Sequence, residues 1–112
     1  MATIEELLKI DGVAAVGEFR ADGSLVNYKA NMAMSPEVAA GAAQFCATVS
    51  MLFGTLSGAF SQLSGMNWSP PQGWVYAGGD WTVCVAGGKG LFVETAKADF
   101  NRLFAAMVGG KA

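Results

Sequence analysis

Histidine is absent from the chain. That omission removes the commonest general acid/base and the commonest metal ligand together, and with them His-dependent triads, HExxH zinc sites and Cys/His zinc fingers. Charge is scarce as well: Asp, Glu, Lys and Arg make up 14% of the residues, and seven basic against nine acidic side chains leave a formal charge of -2. No basic field is available to displace counterions from a phosphate backbone, so nucleic acid is not an expected partner. Cysteine is limited to Cys46 and Cys84, which form no CxxC pair. Each lies in an apolar run, Gln44-Phe45-Cys46-Ala47 and Val83-Cys84-Val85, where a buried reduced thiol is expected. Reduced thiols, with an N-terminus that has no basic segment ahead of an apolar run, point to the cytoplasm. Neither a cofactor nor a metal site is predicted.

What remains is an apolar chain of ordinary domain size. With 53% hydrophobic residues among 112, it is read as one domain over residues 1–112, and the composition is the reverse of a disordered one. Thr3-Ile4-Glu5-Glu6 has the spacing of a capping box and opens a short helix through Ile4, Leu7 and Leu8, with Gly12 as its left-handed stop. Val13 to Arg20 and Leu25 to Lys29 read as strands joined by a hairpin at Asp22-Gly23. Ser35-Pro36-Glu37 caps a second helix that meets no breaker until Gly65. Past the Pro/Gly loop around Asn67 to Gly73, three strands follow, Trp74 to Ala77, Trp81 to Ala86 and Leu91 to Thr95, on connections short enough to make them antiparallel. A last helix, from about Ala96 to Val108, carries Phe100, Leu103, Phe104 and Met107 on one stripe and ends at Gly109-Gly110. This order predicts an α+β fold, a five-stranded antiparallel sheet covered by helices on one or both faces.

The long helix is the informative element. No charged residue occurs between Glu37 and Asp80, yet Gln44, Thr48, Ser50, Thr55 and Ser57 interrupt the apolar run and no basic flank or aromatic girdle positions it, so a membrane span is not predicted. Helical spacing gathers Val38, Ala42, Phe45, Val49, Leu52, Leu56 and Leu63 on one side, the expected core face. Ala40, Ala47, Met51, Gly54 and Gly58 gather nearly opposite. A solvent-facing stripe would carry Lys and Glu rather than glycine, which costs up to about 1 kcal/mol against alanine in a helix. Something covers it: the last helix of the same chain, or a second copy of the protein, in which case these five residues form the dimer interface.

Other motifs yield structure rather than chemistry. Gly87-Gly88-Lys89-Gly90 lacks the Ser or Thr and the following helix of a phosphate loop, and reads as a hairpin turn. Asp80 shapes a turn, Glu94 has no neighbouring carboxylate, and the serines and threonines have no basic relay, so no catalytic residue is nominated. Trp74 and Trp81 are assigned to the sheet. Trp68, between Asn67 and Ser69-Pro70-Pro71, is the candidate partner-binding residue, with a lid over the sheet as its alternative role.

These elements, and the runs Gln44-Phe45-Cys46-Ala47-Thr48, Gln62 to Trp68, Gly78 to Val83 and Glu94 to Phe100, resemble a short bacterial family of roadblock/LC7-like proteins classed as a domain of unknown function. The resemblance implies a profilin-like α+β fold and a homodimer through the long helices, often with two sheets joined edge to edge. It also implies a non-enzymatic role in regulating small GTPases or scaffolding a complex. The expected function is therefore a cytoplasmic homodimer presenting a surface to another protein. The competing reading is a small-molecule sensor of profilin-like fold, which requires a hydrophobic cavity beneath the sheet.

Overall fold

The computed structural model describes residues 2–68 and 72–108. The elements run α1 (Ile4–Leu8), β1 (Val13–Phe19), β2 (Leu25–Ala30), α2 (Pro36–Ser64), β3 (Gly73–Gly78), β4 (Trp81–Ala86), β5 (Lys89–Glu94), a 3-10 turn (Thr95–Lys97) and α3 (Phe100–Val108). The five strands form one sheet in the order β2-β1-β5-β4-β3, and every neighbouring pair is antiparallel. The β1–β2 hairpin and the β3–β4–β5 meander thus join at the central β1–β5 pair, and β2 and β3 are the edges.

Local chemistry explains the boundaries. Thr3 and Glu6 exchange the two hydrogen bonds of a capping box, at 3.2 Å and 3.0 Å. In the β1–β2 turn Asp22 Oδ1 accepts from the Ser24 amide at 2.9 Å, while Gly23 takes a φ of 90° that a residue with a Cβ rarely adopts. Ser35 Oγ caps α2 by accepting from the Val38 amide at 3.2 Å, and Gly65 closes it in the left-handed region at φ 69°. The last helix starts later than its spacing predicts. A 3-10 turn intervenes, Ala98 is extended, and Asp99 Oδ1 receives the Arg102 amide at 3.1 Å, so Asp99 restarts the helix. The predicted stop at Gly109-Gly110 lies outside the described residues.

α1 and α3 pack on one face of the sheet, where Leu7, Val16, Leu91, Val93, Leu103 and Met107 form the main core. α2 covers the other. The pairing registers align Tyr28, Gly17, Gly90, Val85 and Trp74 in one row across all five strands on that side. α2 follows this row across the sheet: Cys46 lies over Gly90, and Ser50 bonds Trp74 on the β3 edge.

Candidate functional site

The sheet supplies the large side chains of the α2 layer, among them Phe19, Tyr28, Phe92 and Trp74, so the helix must supply small ones. Its buried residues are Ala39, Ala43, Cys46 and Ala47. This reverses the face expected to be core. Phe45 is 68% exposed, Leu52 61% and Leu63 85%, and Val38 and Leu56 are also open to solvent. Apolar periodicity identifies two apolar sides of a helix but cannot say which one meets the sheet, and here volume complementarity decides. Ala47, assigned to a dimer contact, is corrected for the same reason: it is 7% exposed and packs inside its own chain. Ala40, Met51, Gly54 and Gly58 are exposed, and a Cβ built on Gly54 or Gly58 would meet nothing within 4 Å. α3 therefore does not cover Gly54 or Gly58.

The outward side carries a pattern that the sequence reading did not complete. Val38, Ala42, Phe45, Val49, Leu52, Leu56, Ala59 and Leu63 follow one another at alternating steps of four and three residues. That spacing is the seam of a left-handed helix pair, in which apolar side chains of one helix enter gaps on another. Beside it runs an uncharged polar flank, Gln44, Thr48, Thr55 and Gln62, all exposed. By length and composition alone α2 could cross a bilayer; its three chemically distinct sides instead match a helix with a sheet beneath, water on one flank and an apolar contact on the other.

α2 also outruns the sheet. Trp74 Nε1 donates to Ser50 Oγ at 2.9 Å and the Trp74 ring sits 6.0 Å from that of Phe53, so the helix stands over the edge strand at these residues. Beyond them the direction that faced the sheet passes through Gly54 and Gly58. β3 itself is a free edge with Val75 and Tyr76 exposed and no charged residue along its length.

Trp68 is 47% exposed, with its ring tilted against Phe60 at a centroid distance of 5.2 Å. Ser61 Oγ accepts from its amide at 3.0 Å and donates to its carbonyl at 3.2 Å. The residue is thus seated on the end of α2 rather than folded over the sheet. Ser69 to Pro71 lie outside the described residues.

Lys89, Glu94 and Asp80 each have a structural partner. Lys89 is 8% exposed, with Nζ 3.9 Å from Glu18, and Glu94 pairs with Lys97 at 3.0 Å. The Asp80 carbonyl accepts from the Thr95 amide at 2.9 Å. Burial pushes the thiols of Cys46 and Cys84 up to about 11, which holds them protonated and unreactive at neutral pH. Among the described residues no group of three or more His, Cys, Asp or Glu side chains could hold a metal ion.

Comparison with known proteins agrees with the architecture. The sequence profile described as Uncharacterized conserved protein (DUF2173) matches residues 3–108. No curated protein matches the sequence. Among solved structures, Myxococcus xanthus MglB superposes with a TM-score of 0.66 at 14% identity, covering 93% of this chain and 80% of that one. A structure described as MglB with tetrameric arrangement gives 0.69 at 17% identity, covering 95% and 82%. The roadblock/LC7 domain from Streptomyces avermitilis gives 0.66 at 13% identity, covering 93% and 86%. At these identities the likeness is one of fold.

Proposed function

The chain belongs to the DUF2173 family of uncharacterized conserved proteins and has a roadblock/LC7 fold, and from that premise we propose that it acts as a non-enzymatic homodimeric scaffold through α2. The observation that carries this reading is the outward seam with Phe45, Leu52 and Leu63 left in solvent. A contiguous apolar stripe of this length is rare on a monomer and marks an association surface. At 1.5 Å per residue the 29-residue helix is about 43 Å long, enough for an interface of the usual size, about 800 Å² per partner.

A second copy fits the stripe because a two-fold contact needs only one self-complementary surface. The same operation accounts for two further features. The free β3 edge would receive its equivalent, and Gly54 and Gly58, on the part of α2 that overhangs that edge, would lie above the neighbouring sheet. Met51 and Ala40 are on the adjoining flank. That MglB is described with a tetrameric arrangement supports self-association in this fold. The paired surface would be presented in the cytoplasm to a further protein; a small GTPase is the class that the family resemblance suggests, and Trp68 is the side chain nominated to meet it.

Sedimentation equilibrium at micromolar concentration tests the dimer. The native chain should sediment as a dimer, and Leu52→Glu as a folded monomer. A native monomer across that range would overturn the reading.

A further inference from the structure

Beneath the first turns of α2 lies a cavity of about 40 Å³ lined by Ala15, Gly17, Tyr28, Met34, Cys46 and Gly90, with other apolar residues around them. Small residues occur on both of its walls, which is unusual: elsewhere under α2 large sheet residues answer small helical ones. The two glycines are register partners on β1 and β5. Neither needs to be glycine for its backbone, since neither has a positive φ. Space does not require it either. A Cβ on Gly17 would come no closer than 3.8 Å to Leu25 and Tyr28, and one on Gly90 would meet Cys46 Sγ at 3.5 Å and Val85 at 3.6 Å, all ordinary contacts. β1 shifts register between Glu18 and Phe19, beside Gly17. Gly90, however, pairs regularly with Gly17 and Val85 on both sides, and glycine inside a regular strand weakens it, the usual reason being close approach of another group. Among the described residues no side chain fills the gap.

We propose that this cavity is a binding site for the end of a small, uncharged alkyl ligand. The chemistry of the wall sets the class. Tyr28 Oη already donates to the Met34 carbonyl at 3.3 Å, and the Cys46 thiol is held un-ionised by burial, so neither a charge nor a strongly hydrogen-bonding group would be matched there. An apolar void does not hold water well and does take up apolar molecules; one of about 150 Å³ accepts benzene, so this smaller one suits the last one or two carbons of a chain. Leu25, Tyr28, Met34 and Ala42 are all half-buried, which leaves the cavity in reach of solvent and lets the polar end of the ligand remain outside. The site meets the dimer seam only at Ala42, and its test reads the cavity amides rather than the oligomeric state.

Titration of the ¹⁵N-labelled protein with ethanol, 1-propanol and 1-butanol, following the amides of Gly17, Ala43, Cys46 and Gly90, tests the site. Saturable shifts confined to these amides are expected, tightening by up to about fourfold per added methylene until the cavity is full. Gly90→Ala and Gly17→Ala, which fill the gap with a methyl group, should each weaken binding at least tenfold while leaving the melting temperature equal or higher. Shifts that do not saturate, or equal binding by both variants, would overturn the proposal. So would a fall in melting temperature in both, because the glycines would then be required for packing.

Discussion

Trp74 and Ser50 are joined by one hydrogen bond of 2.9 Å between the indole nitrogen and the serine hydroxyl, and this pair marks where α2 leaves the sheet. Upstream of it the helix has its own strands beneath; downstream it overhangs the β3 edge. The bond is partly buried, and its loss would leave the indole donor without a partner. Ser50→Ala should therefore lower stability by about 1 kcal/mol in a urea titration, with a change in Trp74 emission. No change in either would remove this bond as the anchor of α2 at the edge.

The proposed dimer depends on Phe45, Leu52 and Leu56 rather than on the small residues facing the sheet. Leu52→Glu places a charge at the centre of the seam and should weaken association by about a hundredfold or more, the scale of a central hot spot. Because Leu52 touches solvent in the single chain, the separated protomer should stay folded, keeping the sheet signal in circular dichroism while losing helicity at the end of α2. It should melt below the dimeric parent, whose stability includes association. Gly58→Leu separates the roles of the two sides: it should weaken the dimer only if a second sheet lies under the overhang.

Much of this fold could be read from short-range chemistry. Thr3 with Glu6, Ser35 with Pro36, and Asp22 with Gly23 each announce a boundary because capping and turn formation involve neighbouring residues only. The orientation of α2 could not be read in the same way. Its apolar residues go almost all the way round, and the choice between Ala43 and Phe45 as the inward residue depends on Phe19, Phe92 and Trp74, which come from three other elements. The seam was visible as periodicity, but its exposure was not. The overhang that isolates Gly54 and Gly58 required knowing that β3 is the edge. The late start of α3 had a local signal in Asp99, masked by the unbroken apolar stripe around it.

The two thiols predict a definite alkaline limit. In the unfolded chain each ionises near 9.0, whereas burial raises Cys46 and Cys84 in the folded protein to about 11. Between these values the unfolded state has lost protons that the folded state still binds, so stability falls as pH rises. The slope should approach about 1.4 kcal/mol per pH unit for each thiol, while below pH 8 neither contributes any dependence. Denaturant midpoints between pH 7 and 11, with and without Cys46→Ala, measure it; identical profiles would show that Cys46 is not shielded.

Trp68 tests the partner surface. Its ring rests on Phe60, so Trp68→Ala should cost about 1 kcal/mol, the scale of one aromatic pair, and leave the dimer intact. Pull-down from native cells by the parent and the variant, compared by mass spectrometry, should then differ in a captured protein. An identical set would end the assignment of Trp68 to recognition.

The end of α2 should report self-association directly. Past Phe53, a Cβ on Gly54 or Gly58 meets nothing among the described residues within 4 Å, and Leu56, Phe60 and Leu63 are exposed in the single chain. A helix without a packed face is marginal in water, since most helical stability in proteins comes from burying one side. Amide hydrogen exchange over residues 54–64 should accordingly be fast in the monomeric Leu52→Glu protein and slowed by a hundredfold or more in the native dimer, while Ala39 to Ala47, already packed on the sheet, change little. Equal protection of both segments in the monomer would mean that the overhang is stable alone and that no second copy is needed to cover it.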